Sequence, residues 1–336
     1  MAKRSESEYV YASAYIGTLS QHMMTNRDIM RVATSKDLES AEVILREYGY
    51  GEAKELREGD IETFIRREQG RLFEEVRSVC PDWEELKFNQ YPFDYHNIKV
   101  CLKSEQLGMV PDKTFHFMSS ASIPVATMIA LIRDRNYSAM PIQMERGITE
   151  ALDVFARSRD PQMIDIILDK ACYRHMLDDA ENTENDYLIE YVKKRIDAVN
   201  LSSFVRLREM GKSWNFFKEV FIPGGHISEQ TLVSSYDEPY SRVAEKVEPH
   251  GFGEALSEGG RVLKETGQFY EFEKLRDAAI MHHMQTSRFQ AFGIEQIMGV
   301  LYGKEKEIDN LRIALTGKLF GFEPEEIEER LKVTYV

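Results

Sequence analysis

The hydrophobic and polar positions along this chain follow the spacing of helices. The sequence divides into helix-length amphipathic segments, and no segment shows the sustained apolar–polar alternation that is typical of a half-buried strand. Only ten prolines and twenty glycines interrupt the 336 residues, so long helices are possible. We therefore predict an all-α protein.

The predicted helices fall into three similar sets. The first helices cover residues 37–49, 141–160 and 250–267, and each stops at a break that contains Gly or Pro. The second helices cover residues 60–79, 162–177 and 269–284. A longer third helix completes each set. We predict three diverged copies of one helical module at residues 1–125, 126–235 and 236–336, with a soft boundary between 222 and 250.

The three long helices carry the same signature. Each has an acid, then an asparagine three positions later, then a glycine eleven positions after the asparagine, although the chain has only nine asparagines. The signature residues are Asp94, Asn97 and Gly108 in the first copy, Asp197, Asn200 and Gly211 in the second, and Glu307, Asn310 and Gly321 in the third.

This spacing has a physical interpretation. Residues three apart share one face of a helix, and asparagine is a poor residue for a helix interior, so each asparagine needs a tertiary reason. We expect a buried amide that bonds backbone groups near a neighbouring helix end, which would hold each module together. The alternative is that these residues line a socket for a partner. The glycines suit the left-handed position that ends a helix.

Other residues mark predicted boundaries. Pro92 suits the first turn of the first long helix, and Asp186 is a predicted cap of the second. Pro324 is predicted to start a short final helix. Residues 222–226 form the clearest predicted loop.

The charge and cysteine content narrow the function classes. A net charge of −14 disfavours binding to nucleic acid or to anionic lipid, so we expect neither partner. No apolar run is long enough to span a bilayer, and the first residues lack the apolar stretch of a signal peptide. The sparse cysteines, Cys80, Cys101 and Cys172, are predicted to be reduced thiols.

We find no catalytic, cofactor or metal motif. Glycine-rich phosphate loops are absent from the sequence. His282 and His283 with His175 could suggest a metal site, but adjacent histidines on a helix point in different directions. Paired acids occur at residues 178–179 and 325–326, and we interpret them as solvated or capping groups rather than catalytic carboxylates. A helical hydrolase therefore lacks support.

The same residues resemble a known family. Residues 304–331, 15–41 and 94–104, taken together in order, are similar to the C subunit of the archaeal and bacterial V/A-type ATP synthases, a relative of the d subunit of the eukaryotic V-ATPase. The resemblance covers essentially the whole chain.

The resemblance implies a funnel of three helical domains around a pseudo-threefold axis. It implies a non-catalytic subunit at the cytoplasmic face of the membrane rotor ring, which receives the central-stalk subunits D and F. Such a subunit couples ATP hydrolysis or synthesis to ion transport. The alternative is a stand-alone helical-repeat adaptor, although the spacing between the asparagines, 103 and then 110 residues, is long for a solenoid repeat of about 20–47 residues.

Overall fold

A computed structural model of the chain describes residues 6–111 and 116–336, and most of these residues lie in helices. Within these residues there is no strand, so the prediction of an all-α fold is confirmed. The α-helices are α1 Glu6–Gln21, α2 Asn26–Ala33, α3 Leu38–Glu47, α4 Lys54–Arg57, α5 Ile61–Val79, α6 Trp83–Leu86, α7 Tyr91–Gln106, α8 Val125–Arg133, α9 Ile142–Ser158, α10 Gln162–Asn182, α11 Asp186–Glu209, α12 Trp214–Val220, α13 Glu229–Ser234, α14 Tyr240–Val247, α15 Gly253–Thr266, α16 Tyr270–Gln285, α17 Ile294–Phe320 and α18 Pro324–Arg330. Short 3-10 helices cover Lys87–Gln90, Tyr137–Ala139, Glu248–His250 and Thr286–Phe289.

The chain forms two compact units. Unit 1 comprises Met1–Trp83 and Glu238–Val336, and unit 2 comprises Glu84–Asp237. Spatial contact defines these units, whereas sequence repetition defines the three modules, which stay a prediction. Helix α7 of the first module lies in unit 2, while helices α1–α5 of that module lie in unit 1. With 16 residues, α7 is shorter than α5, which has 19, so the prediction of a longer third helix is wrong for the first module.

Unit 2 is built around helices α7 and α10. Helix α7 packs against α8 and α10, and α10 also packs against α9 and α11. Helices α9 and α10 approach closely at Gly147, where a Cβ atom would lie 2.8 Å from the Cβ atom of Ala171. A larger residue at position 147 would therefore push the two helices apart.

Unit 1 is built around α17, the longest described helix. It packs against α1, α2, α5, α16 and α18. Glycines on α17 admit the C-terminal segment, since a Cβ atom at Gly303 would lie 2.5 Å from the Cβ atom of Tyr335. Both ends of the chain therefore contribute to the core of unit 1.

Two of the predicted helix starts agree with the structure and one does not. Pro92 lies in the first turn of α7, and Pro324 begins α18. Asp186 does not cap α11, because the cap is Asn185, whose side-chain oxygen accepts the N–H groups of Tyr187 and Leu188 at 3.0 and 3.3 Å. Asp186 instead lies in the first turn, where its negative charge favours the positive end of the helix dipole.

Candidate functional site

The three long helices α7, α11 and α17 each carry a buried acid and a buried asparagine, which we call a clamp. The first clamp is Asp94 with Asn97, the second is Asp197 with Asn200, and the third is Glu307 with Asn310. None of these six residues is more than 2% exposed. Buried polar groups of this kind need hydrogen-bond partners, and their partners define what the clamps hold.

Each asparagine binds both backbone groups of a single residue. The Asn97 side-chain oxygen accepts the N–H of Met118 at 2.8 Å, and its nitrogen donates to the carbonyl of the same residue at 3.0 Å. Asn200 binds Ile222 in the same way at 2.8 and 2.7 Å. Because an amide side chain has one donor group and one acceptor group, it can bind the N–H and the carbonyl of one residue, as a residue on a neighbouring strand would.

The third asparagine makes the same pair of bonds. Asn310 accepts the N–H of Lys332 at 2.8 Å and donates to its carbonyl at 2.9 Å. In the second and third clamps the bound residue lies 22 positions after the asparagine, and in the first it lies 21 positions after. Ile222 and Lys332 both stand two residues after a short helix, α12 or α18. Asn200 and Asn310 therefore hold the segment that follows each short helix.

The acids of the first two clamps hold the entry to a following helix. The carboxylate of Asp94 accepts the N–H of Ile123 at 2.9 Å, and that of Asp197 accepts the N–H of Ile227 at 2.9 Å. Ile123 precedes Pro124, the N-cap of α8, and Ile227 precedes the N-cap of α13. Each acid therefore binds the residue just before a helix cap.

The acid of the third clamp finds an equivalent partner near the other end of the chain. Glu307 accepts the N–H of Met24 at 2.8 Å, although 283 residues separate the two. Met24 precedes Thr25, the N-cap of α2. The second oxygen of Glu307 accepts the hydroxyl of Tyr50 at 2.6 Å and the ammonium of Lys304 at 2.7 Å. The third clamp therefore ties the last long helix to the N-terminal helices.

The glycine of each signature ends its long helix in the left-handed conformation. The φ angles are 67° at Gly108, 66° at Gly211 and 71° at Gly321. In every case the N–H of the next residue bonds back to a carbonyl in the last turn at 2.9 Å, so the helix ends are closed by their own backbone.

The pKa values of two buried aspartates, Asp94 and Asp277, are shifted in opposite directions. Burial raises the pKa of Asp94 to about 6, even though Ile123 and Ser122 donate hydrogen bonds to its carboxylate. Burial also acts to raise the pKa of Asp277, but the nearby cations Arg276 and Lys332 outweigh it and lower that pKa below its usual range. The ammonium of Lys332 lies 2.9 Å from the Asp277 carboxylate, so the residue held by Asn310 carries an ion pair of its own.

The histidines considered for a metal site occupy packing positions or helix surfaces. His175 is buried on α10 and stacks on Tyr91 with ring centroids 3.9 Å apart, and burial lowers its pKa. His282 and His283 lie in the last turn of α16. In the part of the chain that the structure describes, no cluster of three or more His, Cys, Asp or Glu residues could hold a metal ion.

The paired acids and cysteines also have structural positions. Asp179 accepts the hydroxyl of Tyr91, and Glu326 accepts the N–H of Glu323 at 3.0 Å to cap α18. Cys80, Cys101 and Cys172 are buried and free, and burial raises the pKa of Cys101 to about 12. Across the described residues, no helix has the length and hydropathy needed to cross a bilayer.

Sequence reasoning missed two residues of the third clamp. Lys304 lies three positions before Glu307, so the i, i+3 spacing of opposite charges on one helix face could have identified it. Tyr50 carries no such signal, because its contact with Glu307 spans 257 residues.

The fold and clamps define a class: an all-α protein whose recurrent polar residues bind its own backbone. The sequence model of the ATP synthase (C/AC39) subunit family matches residues 12–330, and the chain belongs to this family. It is 24% identical to the C subunit of the V-type sodium ATPase of Enterococcus hirae over 82% of this chain and 83% of that protein. It is 22% identical to the C subunit of the A-type ATP synthase of Methanocaldococcus jannaschii over 96% of this chain and 86% of that protein.

Proposed function

We propose that this chain is a central-stalk subunit of a rotary V/A-type ATPase or ATP synthase. In this role it docks the stalk subunits D and F onto the membrane rotor ring and couples ATP hydrolysis or synthesis to ion transport. The family match over residues 12–330 carries the proposal. The names of the two relatives, which are the C subunits of a V-type ATPase and of an A-type ATP synthase, support it.

The proposed subunit is non-catalytic, needs no cofactor and works by its shape. The clamps support this role, because their polar groups bind backbone groups and neighbours within the chain rather than an open cavity. A part that transmits torque must resist deformation, and fully bonded buried networks make a fold rigid. We assign the clamps to holding each module together, and we propose that the three modules form a funnel. The subunit would lie at the cytoplasmic face of the membrane, peripheral to the bilayer.

The test is reconstitution of the complex with and without this chain. Purified chain should bind both the isolated D–F stalk and the detergent-solubilised ring, and a complex lacking it should hydrolyse ATP without moving ions. Restoring the chain should restore coupled transport. A fully coupled complex in the absence of the chain would refute the proposal, and a chain that binds neither partner would favour a stand-alone adaptor.

A further inference from the structure

Three large apolar side chains are exposed within four consecutive residues of unit 1. Leu319 and Phe322 are each 45% exposed, and Phe320 is 70% exposed. They lie at the junction of α17 and α18, which is closed by its own backbone: Gly321 has a φ of 71°, and the N–H of Phe322 bonds back to the carbonyl of Gly317 at 2.9 Å. The exposed rings are therefore not needed for this turn, whereas burying them against another molecule is favourable.

A cavity of about 320 Å³ lies beside this junction, between helices α5, α17 and α18. Its lining is mainly apolar and includes Ile313, Phe322 and Ile327, together with Thr316 and Gly317. Side chains that enter pockets of this kind contribute much of the affinity at protein–protein interfaces. The cavity can therefore receive apolar side chains of a partner.

The two arginines that line the cavity are already held by other side chains. The Nε atom of Arg312 lies 3.0 Å from a carboxylate oxygen of Glu62. The guanidinium of Arg330 lies 5.6 Å from the ring centre of Phe322 and 5.8 Å from that of Tyr270. An anionic ligand would have to displace these contacts, so the cavity does not favour one.

The neighbouring helix α18 carries an excess of negative charge. Residues 323–330 contain five exposed glutamates and one cation, Arg330. The glutamates are Glu323, Glu325, Glu326, Glu328 and Glu329. None of the five forms an ion pair with another described residue, although Glu323 and Glu326 cap the helix. Carboxylates without cations of their own attract the lysine and arginine side chains of a partner.

The cavity, the exposed junction and the glutamates form one surface, which we call the acidic groove (residues 312–330 with Glu62). Its apolar and acidic parts are adjacent, because Ile327 lines the cavity from the same helix that carries the glutamates. All of its residues belong to unit 1.

We propose that the acidic groove binds a basic segment of a partner protein. Apolar side chains of that segment enter the cavity and pack on Phe320, while its lysines or arginines face Glu325 and Glu328. A second copy of this chain and an anionic membrane are both disfavoured, since the chain has a net charge of −14. This contact is additional to those of the proposed function and does not rest on it.

The probe is a synthetic amphipathic peptide of leucine and lysine, about 18 residues or five helical turns long. Fluorescence anisotropy measures its dissociation constant with the full chain, and the same peptide with glutamate in place of lysine should not bind. Phe320→Gln should weaken binding about fivefold, because an apolar contact is lost. Glu325→Gln with Glu328→Gln should weaken it about fivefold at low salt and less at high salt. Thr316→Phe, which fills part of the cavity, should weaken it about tenfold.

Two controls match these changes elsewhere in the chain. Phe289→Gln removes an aromatic side chain that is 93% exposed outside the groove. Glu74→Gln with Glu181→Gln removes two exposed carboxylates on α5 and α10. Neither control should alter the dissociation constant, and circular dichroism should show the same helix content in every variant. If Thr316→Phe does not fold, the Phe320 and glutamate variants decide the outcome.

Three results would overturn the proposal. The first is equal binding of the lysine and glutamate peptides, or no binding of either. The second is equal weakening by the groove variants and the controls, because the peptide would then respond only to the overall charge. The third is self-association in sedimentation, or binding to lipid vesicles, that Phe320→Gln abolishes, because the groove would then be covered by a second copy or by lipid. None of these measurements involves the stalk or the ring, so the proposed function would be unaffected.

Discussion

The first and third clamps each bury an acid, but the groups that donate hydrogen bonds to its carboxylate differ. Asp94 is held by the neutral donors Ser122 and Ile123, which lie less than thirty residues away. Glu307 bonds the distant Met24 backbone and also the buried ammonium of Lys304. A repeated motif can thus keep its hydrogen-bond geometry while the source of its partners changes from the local chain to the opposite end. The variants below test this difference, from the largest expected effect to the smallest.

Removing the acid of the third clamp should be the most damaging change. Glu307→Leu leaves the Lys304 ammonium buried without its carboxylate and removes the acceptor of Met24 and Tyr50. We expect a loss of about 3–5 kcal/mol in the free energy of unfolding, measured by urea denaturation. The double variant Glu307→Leu with Lys304→Met should recover part of this loss. Equal losses in the single and double variants would show that the ion pair is not what distinguishes the third clamp.

The first clamp should instead give a distinctive pH dependence. The folded pKa of Asp94, about 6, lies above its ordinary value of 3.8, so the folded state holds its proton more tightly than the unfolded state. The contribution of this group to stability is therefore full below about pH 4 and falls by about 3 kcal/mol as pH rises through 6. Asp94→Asn should remove this fall, which is measured as the stability difference from wild type at pH 4 and pH 7.

Asp277 should give a dependence of stability on pH of the opposite sign to that of Asp94. Because its folded pKa is lowered, its ionised form stabilises the fold at neutral pH, and this contribution disappears as pH falls below about 4. Asp277→Asn should therefore cost most stability at pH 7 and least in acid. If the stability of Asp94→Asn ran parallel to that of wild type between pH 4 and pH 7, the assigned role of burial at Asp94 would be wrong.

The asparagines should have similar effects in both units. Asn200→Ala leaves the N–H and carbonyl of Ile222 without partners in a buried site, which should cost about 2 kcal/mol. Asn310→Ala should cost a similar amount through Lys332. Asn215→Ala, on an exposed position of α12, is the control and should change stability by less than about 0.5 kcal/mol. A loss in only one unit would show that the two clamps are not equivalent.

The glycines should show the smallest effect. Gly211→Ala places a side chain at a φ of 66° with no atom within 4 Å of the new Cβ, so the cost is backbone strain alone, about 1 kcal/mol. Gly51→Ala is matched, since its surroundings are equally open and its φ is not in the left-handed region; it should be neutral or slightly stabilising. A neutral Gly211→Ala in thermal unfolding would show that the helix can end without the left-handed residue.

The amino-acid sequence by itself determined the all-α class, the positions of the clamp residues and the glycines that end the long helices. These features depend on local chemistry: apolar spacing, the poor helix propensity of asparagine and the freedom of glycine at positive φ. The pairing of Asn97, Asn200 and Asn310 with a particular backbone segment depended on the tertiary structure. Every non-proline residue offers the same backbone N–H and carbonyl, so the sequence of the bound segment carries no signal of the contact.

The contact between the N-terminal helices and α17 within unit 1 likewise depended on the tertiary structure. Nothing in the sequence around Met24 indicates that its N–H meets a carboxylate 283 residues away. The N-cap of α11 could not be decided from the sequence, since Asn185 and Asp186 are adjacent and either side chain can cap a helix. Asn185 has the extended backbone that precedes the first helical residue, so its side chain reaches the first free N–H groups of α11. Local patterns thus determined which residues needed partners, and packing of distant helices decided which partners they found.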